Sequence, residues 1–290
     1  MTLHELPPAL PPDEVEKLRW ETFGHRRTRA IASRDELVRF CARRGFVLRD
    51  PSPGVHFPSV LEAAVGRPLL GHAWDERADD LEAWRRASVT SRQLVCAAVL
   101  GGHPTLIAPG FLAEFQVLSG NRGDTRDHER LRETGVLNPE ASAVCSWLLS
   151  EARPMTASEL VERLGMRGAL GKKRLDAALQ EAVRHFLIVE SSFAADSGEP
   201  LYDLLPRVLT AAMRKAETIS LQVARQRVVC RYLRNVIVAG CHEVARLLGW
   251  SQEETLKTMR RLEARHMIVE HPASRHNRWF FQAAATDLLG

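Results

Sequence analysis

Two stretches of the chain repeat one alternation of apolar and polar positions. "VCSWLLSEARPMTASELVERLGM" runs from Val144 to Met166, and "VCRYLRNVIVAGCHEVARLLGW" runs from Val229 to Trp250. Each begins with Val-Cys in an apolar helix, turns, resumes at a Glu followed by an apolar residue, and stops at Leu-Gly. A polar-faced helix follows in both, "GALGKKRLDAALQEAVRHF" or "SQEETLKTMRRLEARH", and then an apolar ribbon, "LIVE" or "MIVE". Leu175, Leu179, Val183 and Phe186 recur at helical spacing, as do Leu256, Met259 and Leu262, so each helix has one face to bury. Thr156 with Glu159, and Ser251 with Glu254, have the spacing of a capping box. Gly165 and Gly249 supply helix stops. Ile188–Val189 and Ile268–Val269 open short strands. In the later copy "RWFF" is the returning strand, and "HPASRHN" is the tip between.

The pattern predicts helix, turn, helix, Gly-turn, helix, strand, which is the order of a winged helix. The fold expected is therefore mainly α with short β-hairpins (α+β), built of tandem winged helix-turn-helix modules. Upstream the signals are weaker. The first dozen residues are Pro-rich, from which loose order is expected, and a short helix is expected from Asp13 to Thr22. "FGHRRTRAIAS" is a basic connector. "SRDELVRFCARRGFVL" opens with Ser33 and Glu36 at capping-box spacing and gathers Leu37, Phe40, Cys41 and Phe46 on one face. "HAWDERADDLEAW" reads as a surface excursion. "SVTSRQLVCAAVLGGHPTLIAPGFLAEFQVLSG" reads as two helices with a turn at Gly101–Pro104, and from Val95 it loosely repeats the first two helices as a degenerate copy. "NRGDTRDHERLRETGVLNPE" is a charged linker and a domain boundary. The expected division is an N-terminal arm over 1–32, a degenerate winged-helix-like domain over 33–125, and winged-helix domains over 126–205 and 206–290.

Composition changes this picture little. The chain has 290 residues, 45% hydrophobic and only 6% aromatic, which fits Leu/Ala/Val-rich helices better than a large β-sandwich. Net charge is +4 and the pI about 9.0. The excess is mild, so the placement of charge matters more than its sum. Five cysteines are scattered with no CxxC pair, which favours a reducing, cytoplasmic compartment. No apolar run approaches a membrane span, and "MTLHELPPALPPDEVEK" lacks the apolar core of a secretory signal. A soluble cytoplasmic protein with no membrane contact is expected.

Known catalytic signatures are missing. "HEVAR" from His242 starts like a zinc-binding HExxH helix but ends in Arg246. "GALGKKR" lacks the spacing of a phosphate-binding P-loop, and neither GxSxG nor GxGxxG occurs in a strand-turn context. No metal or other cofactor is expected.

The charge placement points to nucleic acid. In helix-turn-helix proteins the third helix enters the major groove, and Arg, Lys and helix N-termini contact phosphate. Arg167, Lys172, Lys173 and Arg174 crowd the leading end of the earlier third helix. They are either a solvated run or a DNA contact. Cations at a helix N-terminus oppose its dipole, so an external anion is the sharper reading. The later third helix starts with Glu253 and Glu254, which repel phosphate, so it serves the core. Its wing, with Arg275, His276, Asn277 and Arg278, is the better contact of that module. Arg26, Arg27 and Arg29 in the basic connector form either a solvated linker or a phosphate-contacting arm.

These tandem patterns, preceded by "SRDELVRFCARRGFVL" and "FPSVLEAAVGRP", resemble the AlkZ/YcaQ group of winged-helix proteins over most of Ser33 to Phe281. The resemblance implies tandem winged helices and DNA as ligand. The group includes bacterial DNA glycosylases that unhook alkylated bases and interstrand crosslinks, and related proteins without assigned activity. Its glycosylases carry a Gln-apolar-Gln or Gln-apolar-Asp catalytic motif and a C-terminal β-barrel. Here Gln93, Gln116, Gln180, Gln222, Gln226, Gln252 and Gln282 never form that motif. No barrel is expected after the last wing, since the sequence ends at Gly290. No catalytic residue is carried over.

The expectation is a non-catalytic, double-stranded DNA-binding protein, regulatory or repair-associated. One alternative is a DNA glycosylase acting on alkylated or crosslinked bases with other residues, among which Glu114, Asp124 and His103 are imaginable. Another is a protein–protein interaction module, because fold does not dictate function. The oligomeric state stays open.

Overall fold

A computed structural model describes residues 12–26, 30–69, 77–270 and 278–281. The fold is mainly α with small antiparallel sheets, as expected. α1 (Pro12–Phe23) comes first. The next elements are α2 (Arg34–Arg44), β1 (Phe46–Leu48), α3 (Val60–Val65), α4 (Arg77–Thr90), β2 (Val95–Leu100) and β3 (His103–Ile107). Ser33 caps α2 by accepting the Glu36 N–H, and Ser59 caps α3 through Glu62 in the same way. α2 ends at Gly45, whose φ is +76° and where a Cβ would fall 2.6 Å from the Phe111 ring. Only glycine meets both conditions there.

A single 3-10 turn at Pro109–Phe111 leads to α5 (Leu112–Ser119) and α6 (Asp127–Glu133). The second repeat is α7 (Pro139–Glu151), β4 (Met155–Thr156), α8 (Ala157–Leu164), α9 (Gly168–Arg184), β5 (Ile188–Phe193) and β6 (Pro200–Leu204). Thr156 and Glu159 make the full reciprocal capping box, and Gly165 ends α8 at φ +63°. α10 (Leu205–Val208) and α11 (Thr210–Ala216) lead to the third repeat. This comprises α12 (Leu221–Val236), β7 (Val238–Gly240), α13 (Cys241–Leu248), α14 (Gln252–Glu263), β8 (Ile268–Glu270) and β9 (Arg278–Phe281).

The connectivity helix–strand–helix–helix–strand–strand thus occurs three times. Each copy folds its strands into the same antiparallel sheet, with the last strand central: β1-β3-β2, β4-β6-β5 and β7-β9-β8. The sequence pattern showed two copies clearly. The first, beginning at Arg34, is just as complete.

Three expectations for the first half need correction. Val95–Leu100 and His103–Ile107 are strands, not helices, and are the closing hairpin of the first copy rather than the start of a degenerate one. The turn between them is where it was expected. Leu94 and Cys96 face one apolar cluster, while Val95 and Ala97 face another. A strand buried on both faces reads as an unbroken apolar run, which periodicity cannot separate from a helix. The acidic "surface excursion" contains the first half of α4, the third helix of that copy, and the helix buries Leu81, Arg85, Ser88 and Val89. The "charged linker" contains α6, where Asp127, His128 and Leu131 are buried. There His128 is held between the Thr125 carbonyl and the Ser146 hydroxyl, both at 3.1 Å.

The second repeat has its own core around Leu148, Met155, Leu160, Leu175 and Leu179. A larger core joins parts of all three copies, including Phe46, Phe57, Phe186, Val189, Tyr232, Leu233, Met259 and Trp279. Phe186 was expected on the α9 face with Leu175 and Leu179. The helix ends at Arg184, and Phe186 takes φ +56°, which turns its ring into the shared core instead.

Candidate nucleic-acid interface

The third helix of each repeat is the natural place to look for a groove-reading surface, and the three are differently engaged. α4 has Asp79 and Asp80 in its first turn and packs against β5 of the second repeat. Arg85, on its inner face, is clasped by Glu82 at 2.7 Å and by Glu190 of β5 at 2.5 Å. Arg85 and Arg86 both lie over the Phe193 ring at 5.2 Å. Burial alone would raise the Glu82 carboxyl, but hydrogen bonds from Arg85 and Arg86 outweigh it and pull its pKa down to about 2. This helix is committed to the contact between repeats.

α14 is also occupied. Glu254 at its start binds Arg225 at 2.6 Å. Arg260 binds Glu263 at 2.8 Å and Glu270 at 2.7 Å, over the Trp279 ring. Met259 and Leu262 are fully buried, and Leu256 packs against the same core.

α9 differs. Leu175, Ala178, Leu179 and Ala182 bury its inner face. Its first turns stand clear, with Arg167, Lys172 and Lys173 exposed and Leu170 74% exposed. Arg167 occupies the N-cap without a side-chain cap, and no acid lies in the first turn. Gly171 lets this open end sit tightly on the preceding turn, because a Cβ there would meet the Met166 carbonyl at 2.4 Å. Arg174 alone of the four has an ion-pair partner among the described residues, Glu140 of α7 at 2.6 Å. That hydrogen bond holds the exposed Glu140 carboxyl below its ordinary value. Arg167, Lys172, Lys173 and Arg174 are therefore brought together at one helix end. Their charge adds to the positive end of the helix dipole.

Arg26 pairs with Glu21 of α1. Arg27 and Arg29 lie outside the described residues, as do Arg275, His276 and Asn277. The backbone of Arg278 opens β9 opposite Gly240.

Two clefts went unnoticed in the sequence, because their linings come from distant segments. One, of about 280 Å³, lies between the 53–56 loop, α12 and α13, and is lined by His56, His103, Tyr232, Glu243 and Arg246. Arg246 donates to the Gly54 carbonyl at 2.7 Å, and Glu243 caps α13 by accepting the Gly240 N–H at 2.7 Å. Burial, then the nearby Arg19, pushes His56 below its ordinary value and favours the neutral ring. The other cleft, of about 370 Å³, is lined by Arg49, Asp50, Leu61, Glu82 and Arg86. Its carboxylates are held in ion pairs, Asp50 by Arg49 at 2.7 Å.

Of the three groups imaginable for base excision, His103 lines the first cleft, whereas neither Glu114 nor Asp124 does. Glu114 is buried against Arg227 at 2.9 Å. Asp124 accepts the Arg126 N–H at 2.9 Å in the loop before α6. Among the described residues no group of three or more His, Cys, Asp or Glu is placed to hold a metal ion. No helix among them is long and apolar enough to cross a membrane.

The curated proteins contain no match to the chain. Among solved structures, the Streptomyces sahachiroi DNA glycosylase AlkZ is similar, with a TM-score of 0.58 and 15% identity over 95% of this chain and 71% of that one. At that identity the likeness is one of fold. The model of the family described as AlkZ related matches residues 31–249, three-quarters of the sequence, and the chain belongs to the AlkZ-related family.

Proposed function

We propose that the three repeats are winged-helix modules and that the protein binds double-stranded DNA without catalysis of its own, in a repair-associated or regulatory role. The observation that carries this reading is the unequal state of the three third helices. Those of the outer repeats begin with acids, Asp79 and Asp80 or Glu253 and Glu254, and hold Arg85, Arg86 and Arg260 in ion pairs, while the start of α9 has no acid and presents Arg167, Lys172 and Lys173 with no ion-pair partner among the described residues. A helix N-terminus bearing cations and no acid is stabilised by an external anion, and duplex phosphate is the anion that such helices meet. Arg275, His276, Asn277 and Arg278, and Arg26, Arg27 and Arg29 of the connector, are proposed as further contacts to the DNA backbone. Membership of the AlkZ-related family supports a DNA ligand. The cytoplasm is the proposed compartment, on the dispersed thiols of the sequence, all five of them free.

Fluorescence anisotropy of a labelled duplex at two salt concentrations tests the reading. Binding should weaken steeply as salt rises, through counterion release. Replacing Lys172, Lys173 and Arg174 with Ala should cost about 1 kcal/mol or more in total. Absence of binding by the intact chain at low salt removes the proposal.

A second reading is a DNA glycosylase, favoured by the likeness of fold to a DNA glycosylase. Such an enzyme must draw the target base into a pocket. The cleft lined by His56, Tyr232 and Glu243 is the place proposed for it. Incubation with alkylated duplex, followed by an abasic-site assay, decides between the two.

A further inference from the structure

We infer that the outward face of α9, made of Leu170, Lys173, Ala177 and Gln180, reads base edges in the major groove of duplex DNA, so that the protein binds with a sequence preference. The inference rests on the DNA-binding reading above, which supplies phosphate contacts and no base contact.

The face follows from the helix period. Gly171, Leu175, Ala178, Leu179 and Ala182 are buried and define the inner side of α9. Leu170, Lys173, Ala177 and Gln180 recur at steps of three and four residues on the opposite side, and all four are exposed. From Leu170 to Gln180 the helix rises about 15 Å, the length of about four base pairs. Leu170, at 74%, is the most exposed large apolar side chain among the described residues. Lys173 and Gln180 make no hydrogen bond or ion pair with any other described residue. By the same period Arg167 and Lys172 fall to either side of the stripe, where they can hold the phosphates that border a groove.

The other two third helices lack such a face. The outward side of α4 leads with Asp79 and Asp80, and that of α14 leads with Glu253. On α9 the leading position is apolar and the stripe contains no acid. Asp176 is exposed on its flank beside Lys172, and Glu181 is occupied, accepting the Asn138 N–H at 2.8 Å. The side chains of the stripe match what a major groove offers. The Gln180 amide can donate and accept, as the N6 and N7 edge of adenine requires, and Lys173 can donate to the O6 and N7 of guanine. Leu170 can pack on the C5-methyl of thymine. Ala177 is small and lets the helix approach closely between them. Solvent gains nothing from a bare leucine at the tip of a cationic helix, whereas a thymine methyl withdraws it from water. A third helix that enters the major groove by its leading half brings these side chains to the bases.

The test uses the full chain and a pool of duplexes of random sequence, from which bound molecules are recovered and sequenced. A shared sequence of about four base pairs should emerge. Gln180→Ala should relax the preference at one adenine of that site by roughly tenfold. Replacing one thymine of the site with uracil, which lacks the methyl group, should weaken the unmodified protein about fourfold and leave Leu170→Ala unaffected. Both side chains are exposed and alanine favours helix, so the variants keep the fold. Neither should change the slope of log K against log salt, whereas Lys172→Ala should flatten it by about 1. Bound duplexes with no shared sequence, or a shared sequence that both variants leave intact, overturn this inference and leave the DNA-binding reading standing. No duplex binding by the unmodified chain at low salt sinks both.

Discussion

The guanidinium of Arg85 lies 2.5 Å from the carboxylate of Glu190, and this contact ties the third helix of the first repeat to the hairpin of the second. The Arg85 side chain is only 5% exposed. Glu190→Leu takes one of its two carboxylates from the buried Arg85 and leaves Glu82, so it should destabilise the protein by about 1.5–3 kcal/mol, the worth of a hydrogen bond to a charged group. Arg85→Met/Glu190→Leu should cost less than Glu190→Leu alone, since no buried guanidinium is left short of a carboxylate. Urea denaturation of the three proteins measures both differences.

Acid should loosen the same contact. Glu82 is shifted from 4.5 to about 2 by Arg85 and Arg86, against the opposing effect of burial. A carboxylate with a lowered folded pKa contributes stability that is present above its unfolded value and lost as pH falls through the folded one. Stability should therefore decline from about pH 4.5 to about pH 2, and Glu82→Gln should flatten that part of the profile. The partial exposure of Glu82 screens the interaction and keeps the effect small. Melting temperature against pH, wild type beside variant, gives the comparison.

Phe57 is stacked between Phe46 at 5.7 Å and Tyr232 at 5.3 Å, bridging the first and third repeats. It is 2% exposed. Phe57→Ala should cost about 3–5 kcal/mol through lost burial and the cavity left behind. Because the ring belongs to the core shared by all three copies, thermal unfolding should shift for the chain as a whole and not for one repeat alone.

The capping box of α8 offers a smaller, local test. Thr156 accepts the Glu159 N–H at 3.1 Å, and Glu159 accepts the Thr156 N–H at 2.8 Å. Thr156→Ala should lower stability by about 1 kcal/mol. Since α8 braces α9, duplex affinity should fall with it only if the open end of α9 is disordered by the change. Measuring affinity well below the melting temperature keeps the two effects apart.

What could be read from the sequence was local. Capping pairs, glycine stops and the spacing of Leu175 and Leu179 act within a few residues, so they announce the second and third copies and the cationic end of α9 without tertiary information. Val95–Leu100 could not be read this way, because a strand covered on both faces loses the alternation that marks strands. Phe186 could not either: its backbone turns after the helix ends, and the core it enters is assembled from other repeats. Only the tertiary structure decided which third helix stays open. Arg85, Arg225 and Arg260 look as free in the sequence as Lys172 does, and they are neutralised by Glu190, Glu254 and Glu270, acids that folding alone brings within reach. Charges pair across space, whereas periodicity runs along the chain, and for that reason the second and third copies were legible and the ion pairs that engage α4 and α14 were not.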